Sequence, residues 1–483
     1  MPELTQQDLE IVIGLEVHLQ FNTKTKIFCG CANYFGGEPN TRTCPVCEGL
    51  PGSLPVLNRS ALDYAIRVAL ALNCEVSSWI KFDRKNYYYP DLPKGYQISQ
   101  YDHPIARNGF LMAVTDEGPR KIRIHRAHLE EDAGKLIHDN TDKCSLVDYN
   151  RTGSPLLEIV TEPDIRSPQE AQDYLTTLKL TLQYLQVSTC DMEKGSLRCD
   201  ANISIRPKGD EKLGTKTEIK NLNSFKAVKA ALQFEAERQQ KMVNLGERII
   251  QETRLWNEDS QMTVSMRSKE EAHDYRYFPE PDLVPFTVDE AVVEEVRQNL
   301  PELPEDKFER LSREYDIPAY DTRILIQDPA LSDFFEQCTK SLNEYKKICN
   351  WIAGPLLSEL NTRKIPAAEI RIQPESFTAL IKKVEDGTVS NLAGKTILTA
   401  MLDSGDSPDK IITDQGLAQV SDDSALETII NDVLKENSSV VAQIKAGKES
   451  AMGFLVGQTM KKSRGKANPK KVGEMIKRRL SNE

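Results

Sequence analysis

Residues 10–21, EIVIGLEVHLQF, alternate: Ile13, Leu15, Val17 and Leu19 fall on one side of a period-two repeat, and Gly14, Glu16, His18 and Gln20 on the other. That pattern predicts a half-buried strand. The same period predicts strands over 121–130, 155–161, 197–206 and 215–221. A period near 3.6 predicts helices over 59–73, 168–185 and 224–243. The second opens on SPQE, with Ser167 as N-cap, Pro168 in the first turn and Glu170 closing a capping box. The strands follow one another or irregular loops, without regular alternation with helices. This favours an α+β domain on an antiparallel sheet over a doubly wound fold.

The pattern changes after the Pro-rich stretch FPEPDLVPF, 278–286. Beyond it helical spacing dominates, over 304–315, 331–340, 343–362, 374–385 and 390–402. LDSGDSPDK, 402–410, reads as a linker to a small helical module. With 483 residues, several domains are expected. The predicted fold class is α+β: a large mixed domain with antiparallel sheet, then an all-α domain and a small helical tail domain.

Composition sharpens this. Charged residues make up 28 % and hydrophobic ones 39 %, as in soluble globular proteins. No run of 18 apolar residues occurs, so a membrane span is not expected. The start, MPELTQQDLE, is acidic and lacks the regions of a signal peptide, which predicts an intracellular, cytoplasmic protein. Ten cysteines are too dilute for a disulfide scaffold. The net charge of −11 argues against nucleic-acid binding only as an average. Residues 451–483 hold nine bases and two acids, a segment suited either to contact an RNA backbone or to form the solvated face of a packed helix.

Two constellations carry chemistry. Cys29 and Cys31 and, after twelve intervening residues, Cys44 and Cys47 have the spacing of a zinc knuckle over 29–47, since four thiolates satisfy a tetrahedral ion. The alternative is four unpaired thiols in a loop. The second constellation is a set of acids inside apolar strand patterns: Glu16 with His18; His128, Glu130, Glu131 and Asp132 in RAHLEEDAG; Glu158 in PLLEIVTEPD; Asp200 in SLRCDANISI. Isolated charges there are costly. A hard divalent cation would collect them, or they form separate salt bridges with Arg126, Arg151, Arg198 and Lys220. KFDRKNYYYPDLPKGYQISQYD, 81–102, mixes bases and tyrosines, suited to stack a base and hold phosphates or simply to bury tyrosines in a loop. GTVSNLAGKT, 387–396, ends like a phosphate loop but has Val389 where the motif needs glycine, and is rejected.

Taken together, VIGLEVH, KFDRKNYYYPDLPKGYQISQ, HLEEDAGK, SLVDYNRTGSPLLEIVTEPD, EKGSLRCDANIS, KNLNSF, DYRYFPEPD and MGFLVGQTMKKSRGKANP resemble the tRNA-binding kinase/transamidase member, the B-type subunit, of the aspartyl/glutamyl-tRNA amidotransferase, over nearly the whole chain. The resemblance implies a heterotrimer with an amidase-like glutaminase chain and a small third chain that wraps the other two. In that family the B-type member binds misacylated Glu-tRNA(Gln) or Asp-tRNA(Asn). It uses ATP and magnesium to phosphorylate the side-chain carboxylate, which ammonia from the glutaminase then amidates. This is ligase chemistry. The resemblance further implies a magnesium cluster on Glu16, His18, Glu131, Glu158 and Asp200, with Glu130 a neighbouring candidate. Lys85, Tyr87 and Ser196 are the expected ATP contacts, and the four cysteines a structural zinc site. By resemblance, residues 1–292 form a catalytic cradle domain, 293–407 a helical domain and 408–483 a tRNA-binding tail domain. No amidase signature of its own is seen, consistent with the glutaminase lying on another chain.

Overall fold

In the computed structural model, which describes residues 9–139, 144–268, 275–418, 423–445, 451–463, 467 and 469–481, the alternating N-terminal segment is β1 (Leu9–Gln20), in the middle of a sheet. The other long strands are β2 (Asp83–Asn86), β3 (Tyr96–Ser99), β4 (Ala106–Thr115), β5 (Gly118–Glu131), β6 (Pro155–Thr161), β7 (Leu197–Pro207), β8 (Thr217–Leu222), β9 (Glu252–Asn257) and β10 (Met262–Ser268). Their order is β10-β9-β8-β7-β1-β6-β5-β3-β2, with β4 paired to the first part of β5. Among these strands only β8 and β9 run parallel. A parallel pair needs a long crossover, here a helix, α3 (Phe225–Asn244), started by Ser224, whose hydroxyl accepts from Ala227 N.

Two more helices, α1 (Arg59–Ala71) and α2 (Pro168–Tyr184), join α3 on one face of the sheet. Ile13, Leu15, Val17 and Leu19 are at most 1 % exposed against that layer. Each such side chain contributes about 1.5–3 kcal/mol by leaving water. The period-two partners Glu16 and His18 therefore point to the opposite, open face. The predicted α+β class with antiparallel sheet is what the chain adopts.

Several strands did not stand out in the sequence. In β4 the alternation breaks where Asn108 takes φ +54°. In β9 and β10 the buried positions include Thr253 and Thr263, which are polar. Thr263 pairs with Glu235 of α3, and Thr253 with Glu218. A hydrophobicity period cannot register buried residues of that kind.

The chain divides into two compact units, Met1–Pro304 and Glu305–Glu483. Helix Glu290–Gln298 belongs to the first, with Val292, Val293 and Val296 against its core. In the second unit, one cluster runs from Leu311 through Trp351, Phe377 and Leu398 to Ile412. The expected helix 343–362 is interrupted by a wide turn, Ile352–Leu356, around Pro355, which has no N–H for the helical ladder. Of the expected linker 402–410, only 405–407 is non-helical. Gly405 (φ +72°) ends one helix and Ser407 caps the next. That second helix buries Ile411 and Ile412 in the same cluster. Helices Asp423–Glu436, Met452–Lys462 and Pro469–Ser481 share a separate cluster around Leu426, Leu455, Val472 and Ile476. No described helix is long and apolar enough to cross a membrane.

Candidate active site on the open face of the sheet

Antiparallel register converts the strand patterns into a grid. Across β7, β1, β6 and β5 one row reads Arg198, His18, Glu158, His128, and the next reads Asp200, Glu16, Val160, Arg126. Glu130 follows His128 two residues on, opposite Ser99 of β3. His18 Nε2 lies 3.7 Å from both Glu130 Oε1 and Glu158 Oε2. Ligand atoms of these three residues all fall within 4.8 Å of one another, close enough to share one ion.

His128 sits beneath them, with Nε2 3.1 Å from Glu158 Oε2 and 3.7 Å from Glu130 Oε2. Burial alone would lower its pKa, but the Glu158 charge and hydrogen bonds to both carboxylates outweigh it and hold it at about 9. Burial likewise pushes against ionised Glu158 and Glu130. The facing imidazoles prevail and keep both below the usual carboxylate range. Glu16 goes the other way, raised by burial and then by Glu158 and partly relieved by a 2.9 Å hydrogen bond from Asn202 Nδ2. The site thus presents ionised acids beside an acid that resists ionisation, the condition a bound cation would relieve.

Lys85, on β2, faces this cluster. Burial opposes its charge, yet Glu130 and Glu158 hold its pKa above the ordinary value. Its Nζ lies 4.8 Å from the ring centre of Tyr275 and 5.9 Å from that of Tyr87. Burial raises the Tyr87 phenol. Tyr277 stacks on Tyr101 at 4.2 Å, extending an aromatic wall.

The salt-bridge alternative holds for some acids and fails for others. Lys220 Nζ lies 2.6 Å from Asp200 and 3.2 Å from Glu218. Asp132 takes both Arg198 (3.0 Å) and Arg151 (3.4 Å). Glu16, Glu130 and Glu158 have no Lys or Arg partner within 4 Å among the described residues.

Glu131 does not join the cluster. Neighbours on a strand point to opposite faces, and Glu131 accepts from Ile98 N (2.9 Å) and from the Lys94 ammonium on the covered side. The Ser196 hydroxyl is occupied in a turn, accepting from Asp191 N and lying 2.7 Å from Thr189 Oγ1. His128 had no role assigned from sequence, although its parity with Glu130 was the available signal. Tyr275 and Tyr277, inside DYRYF, had none.

The four Sγ atoms of Cys29, Cys31, Cys44 and Cys47 lie within 4.8 Å of one another. Cys44 and Cys47 are 3.9 Å apart, and tetrahedral zinc, with its Zn–S bonds of about 2.3 Å, needs sulfurs about 3.8 Å apart. Cys44 N donates to Cys47 Sγ at 3.2 Å. The Cys47 thiol is drawn down to about 5, first by its hydrogen bond with Cys29 and, against burial, by the Lys26 ammonium. This cluster can hold a structural metal.

Residues 11–294 match the family described as the GatB/GatE catalytic domain, and residues 333–480 match the GatB domain. The chain belongs to this family. Curated relatives named as the B-type subunit of aspartyl/glutamyl-tRNA(Asn/Gln) amidotransferase include those of Carboxydothermus hydrogenoformans (52 % identical over 478 residues, 98 % of this chain and 99 % of the relative) and Moorella thermoacetica (51 % over 475 residues, 98 % and 100 %). That of Thermodesulfovibrio yellowstonii is 51 % identical over 467 residues, 97 % and 98 %. The catalytic-domain match of the family contains the whole acidic grid and the four cysteines. Of the strings that carry the resemblance, Asp274 of DYRYFPEPD and residues 464–466 and 468 of MGFLVGQTMKKSRGKANP lie outside the described residues.

Proposed function

We propose that this chain is the carboxylate-activating member of a tRNA-dependent amidotransferase. Its substrates are ATP and the side-chain carboxylate of Glu-tRNA(Gln), Asp-tRNA(Asn) or both. The carboxylate takes the γ-phosphoryl group, and ammonia from a glutaminase partner displaces phosphate from the acyl phosphate to give the amide. The observation that carries the reading is the convergence of His18, Glu130 and Glu158, beside Lys85, on the open face of the sheet.

A carboxylate is a poor acyl donor because oxide is a poor leaving group, and phosphorylation supplies a better one. Such transfer depends on positioning and charge neutralisation more than on a protein nucleophile. In this reading His18, Glu130 and Glu158 hold magnesium, with Glu16 and Asp200 within reach through water, since magnesium retains several waters. When bound, the ion supplies charge neutralisation on the phosphates. Lys85 holds a phosphate oxygen, His128 orients Glu158 and Glu130 from below, and Tyr87 flanks the nucleotide. Glu131 and Ser196 serve as supports for their loops. Four thiolates around zinc brace residues 29–47. The unit ending at Pro304 acts as the cradle, the cluster around Trp351 as the helical domain, and the basic terminal helices as the tRNA-binding tail. A small third chain completes a heterotrimer working in the cytoplasm.

The test uses the assembled complex with ATP and charged tRNA, without an ammonia donor. ADP release that requires the misacylated tRNA, and that falls by orders of magnitude in Glu158→Gln and His18→Ala, is expected. Undiminished release in both variants would make the acids structural and refute the metal site; no tRNA-dependent release from the wild-type complex, with tRNA still bound, would make the chain an RNA-binding scaffold.

A further inference from the structure

Beside the acidic grid lies a pair of arginines that nothing in the reaction above employs. On β5, register skips His125 between Arg126 and Ile124, and on β4 it skips Asn108 between Arg107 and Gly109. The shift against β6 is a bulge that changes the parity of β5, while β4 keeps the same register with β5 on either side of Asn108. Ile122 and Ile124 face the core before the bulge, and Ala127 and Leu129 after it. Arg126 is thereby turned to the open face, directly opposite Arg107. Bulges re-aim side chains in this way.

Cross-strand neighbours have Cα atoms about 5 Å apart, so two like charges there repel. Among the described residues neither has a carboxylate partner to offset this. Arg107 donates to the Asp102 carbonyl oxygen, and Arg126 Nε is buried without a partner. Other nearby charges are already matched. Arg123 pairs with Asp164 at 2.6 Å, Arg120 lies 3.7 Å from Glu170, and Lys121 sits over Phe110. Glu75, across from Arg107 on its other side, is turned to Asn108 Nδ2 at 3.1 Å. The Asp102 carboxylate takes Lys81 at 2.7 Å. A pair of unmatched guanidiniums, Arg126 half-buried and Arg107 exposed, is a site for an external anion with oxygens to share between two planar forks.

Its position selects the anion. Arg126 lies four residues from Glu130, about 13 Å along the strand, on the side of the cluster away from Lys85. In the proposed reaction ATP phosphates gather at the cluster and Lys85. The other substrate brings a phosphodiester about one nucleotide away from its reacting carboxylate. We propose that Arg107 and Arg126 grip the 3′-terminal phosphodiester of the charged RNA, so that its aminoacyl carboxylate reaches over His18, Glu130 and Glu158. This rests on the amidotransferase reading for the identity of the RNA.

The experiment compares Arg107→Gln, Arg126→Gln, the double variant and Arg126→Lys in the assembled complex. Charged-tRNA binding is measured without ATP across a salt series, and KM for tRNA and for ATP in ammonia-supplied amidation. Expected is at least tenfold weaker tRNA binding in the double variant, with the log–log salt slope reduced by about 0.7 per arginine, the single-strand value. KM for tRNA rises and KM for ATP does not. Arg126→Lys restores part of the slope. An unchanged affinity and slope would overturn the proposal, as would a rise confined to KM for ATP. Arg107→Gln, at an exposed position, keeps the test valid if the Arg126 variants misfold. Because the binding arm contains no ATP, weakened binding alongside absent wild-type ADP release would refute the activation chemistry and leave this site standing.

Discussion

Lys26 is fully buried, yet no carboxylate lies within ion-pair distance among the described residues. Its Nζ donates to Arg42 O (2.7 Å) and Tyr149 O (3.4 Å) and lies 3.6 Å from Cys47 Sγ. A buried ammonium needs a counter-charge, and four thiolates around a divalent ion supply a net charge of −2. Unit charges at this separation attract by about 5 kcal/mol at an effective dielectric of 20, and desolvating the ammonium cancels part of that. A net of about 2 kcal/mol would give about thirty-fold in metal affinity, within the range for groups behind a metal's ligands. Lys26→Met, which keeps much of the stem volume, should lose metal to a chelator at correspondingly lower concentration. Lys26→Arg should retain more of the affinity. The assay is metal per chain across a chelator titration, with circular dichroism to verify folding. A Lys26→Met protein that holds its metal with an unchanged chelator midpoint would refute the counter-charge argument.

Two further outcomes follow from burial. Glu131 and Lys94 form an ion pair with side chains 2 % and 6 % exposed, so Glu131→Gln strands a buried ammonium and should cost about 3–5 kcal/mol. A denaturation midpoint that moves by less than about 1 kcal/mol equivalent would count against a structural role for that pair. Leu15, 1 % exposed under the helix layer, should cost about 2–5 kcal/mol on truncation to Ala. Gln20→Ala, on the other side of β1, should stay within about 0.5 kcal/mol. Equal losses in urea unfolding would contradict the assignment of faces.

Local chemistry made much of this chain legible in sequence. Side-chain period is a property of consecutive residues, so β1, β6 and β7 and the parity of Glu16, His18, Glu158 and Asp200 could be read directly. Ser167 in its capping role is equally local, with its hydroxyl accepting from Glu170 N. So is the CxC–CPVC spacing, and the four sulfurs do converge. Tertiary structure decided which positions meet. His18 faces Glu158 and Arg198 because β1 pairs with strands far away in sequence, and a one-residue slip would have turned each set to the other face. That same parity admits Glu130 to the cluster and sends Glu131 to Lys94, a choice that adjacent identical residues cannot express. Two bulges were beyond any periodic reading. One turns Arg126 outward. The other, at Asn221 (φ +66°), returns Leu222 to the core after Ile219. Bulges answer to the strand alongside, and the sequence of one strand carries no record of its neighbour.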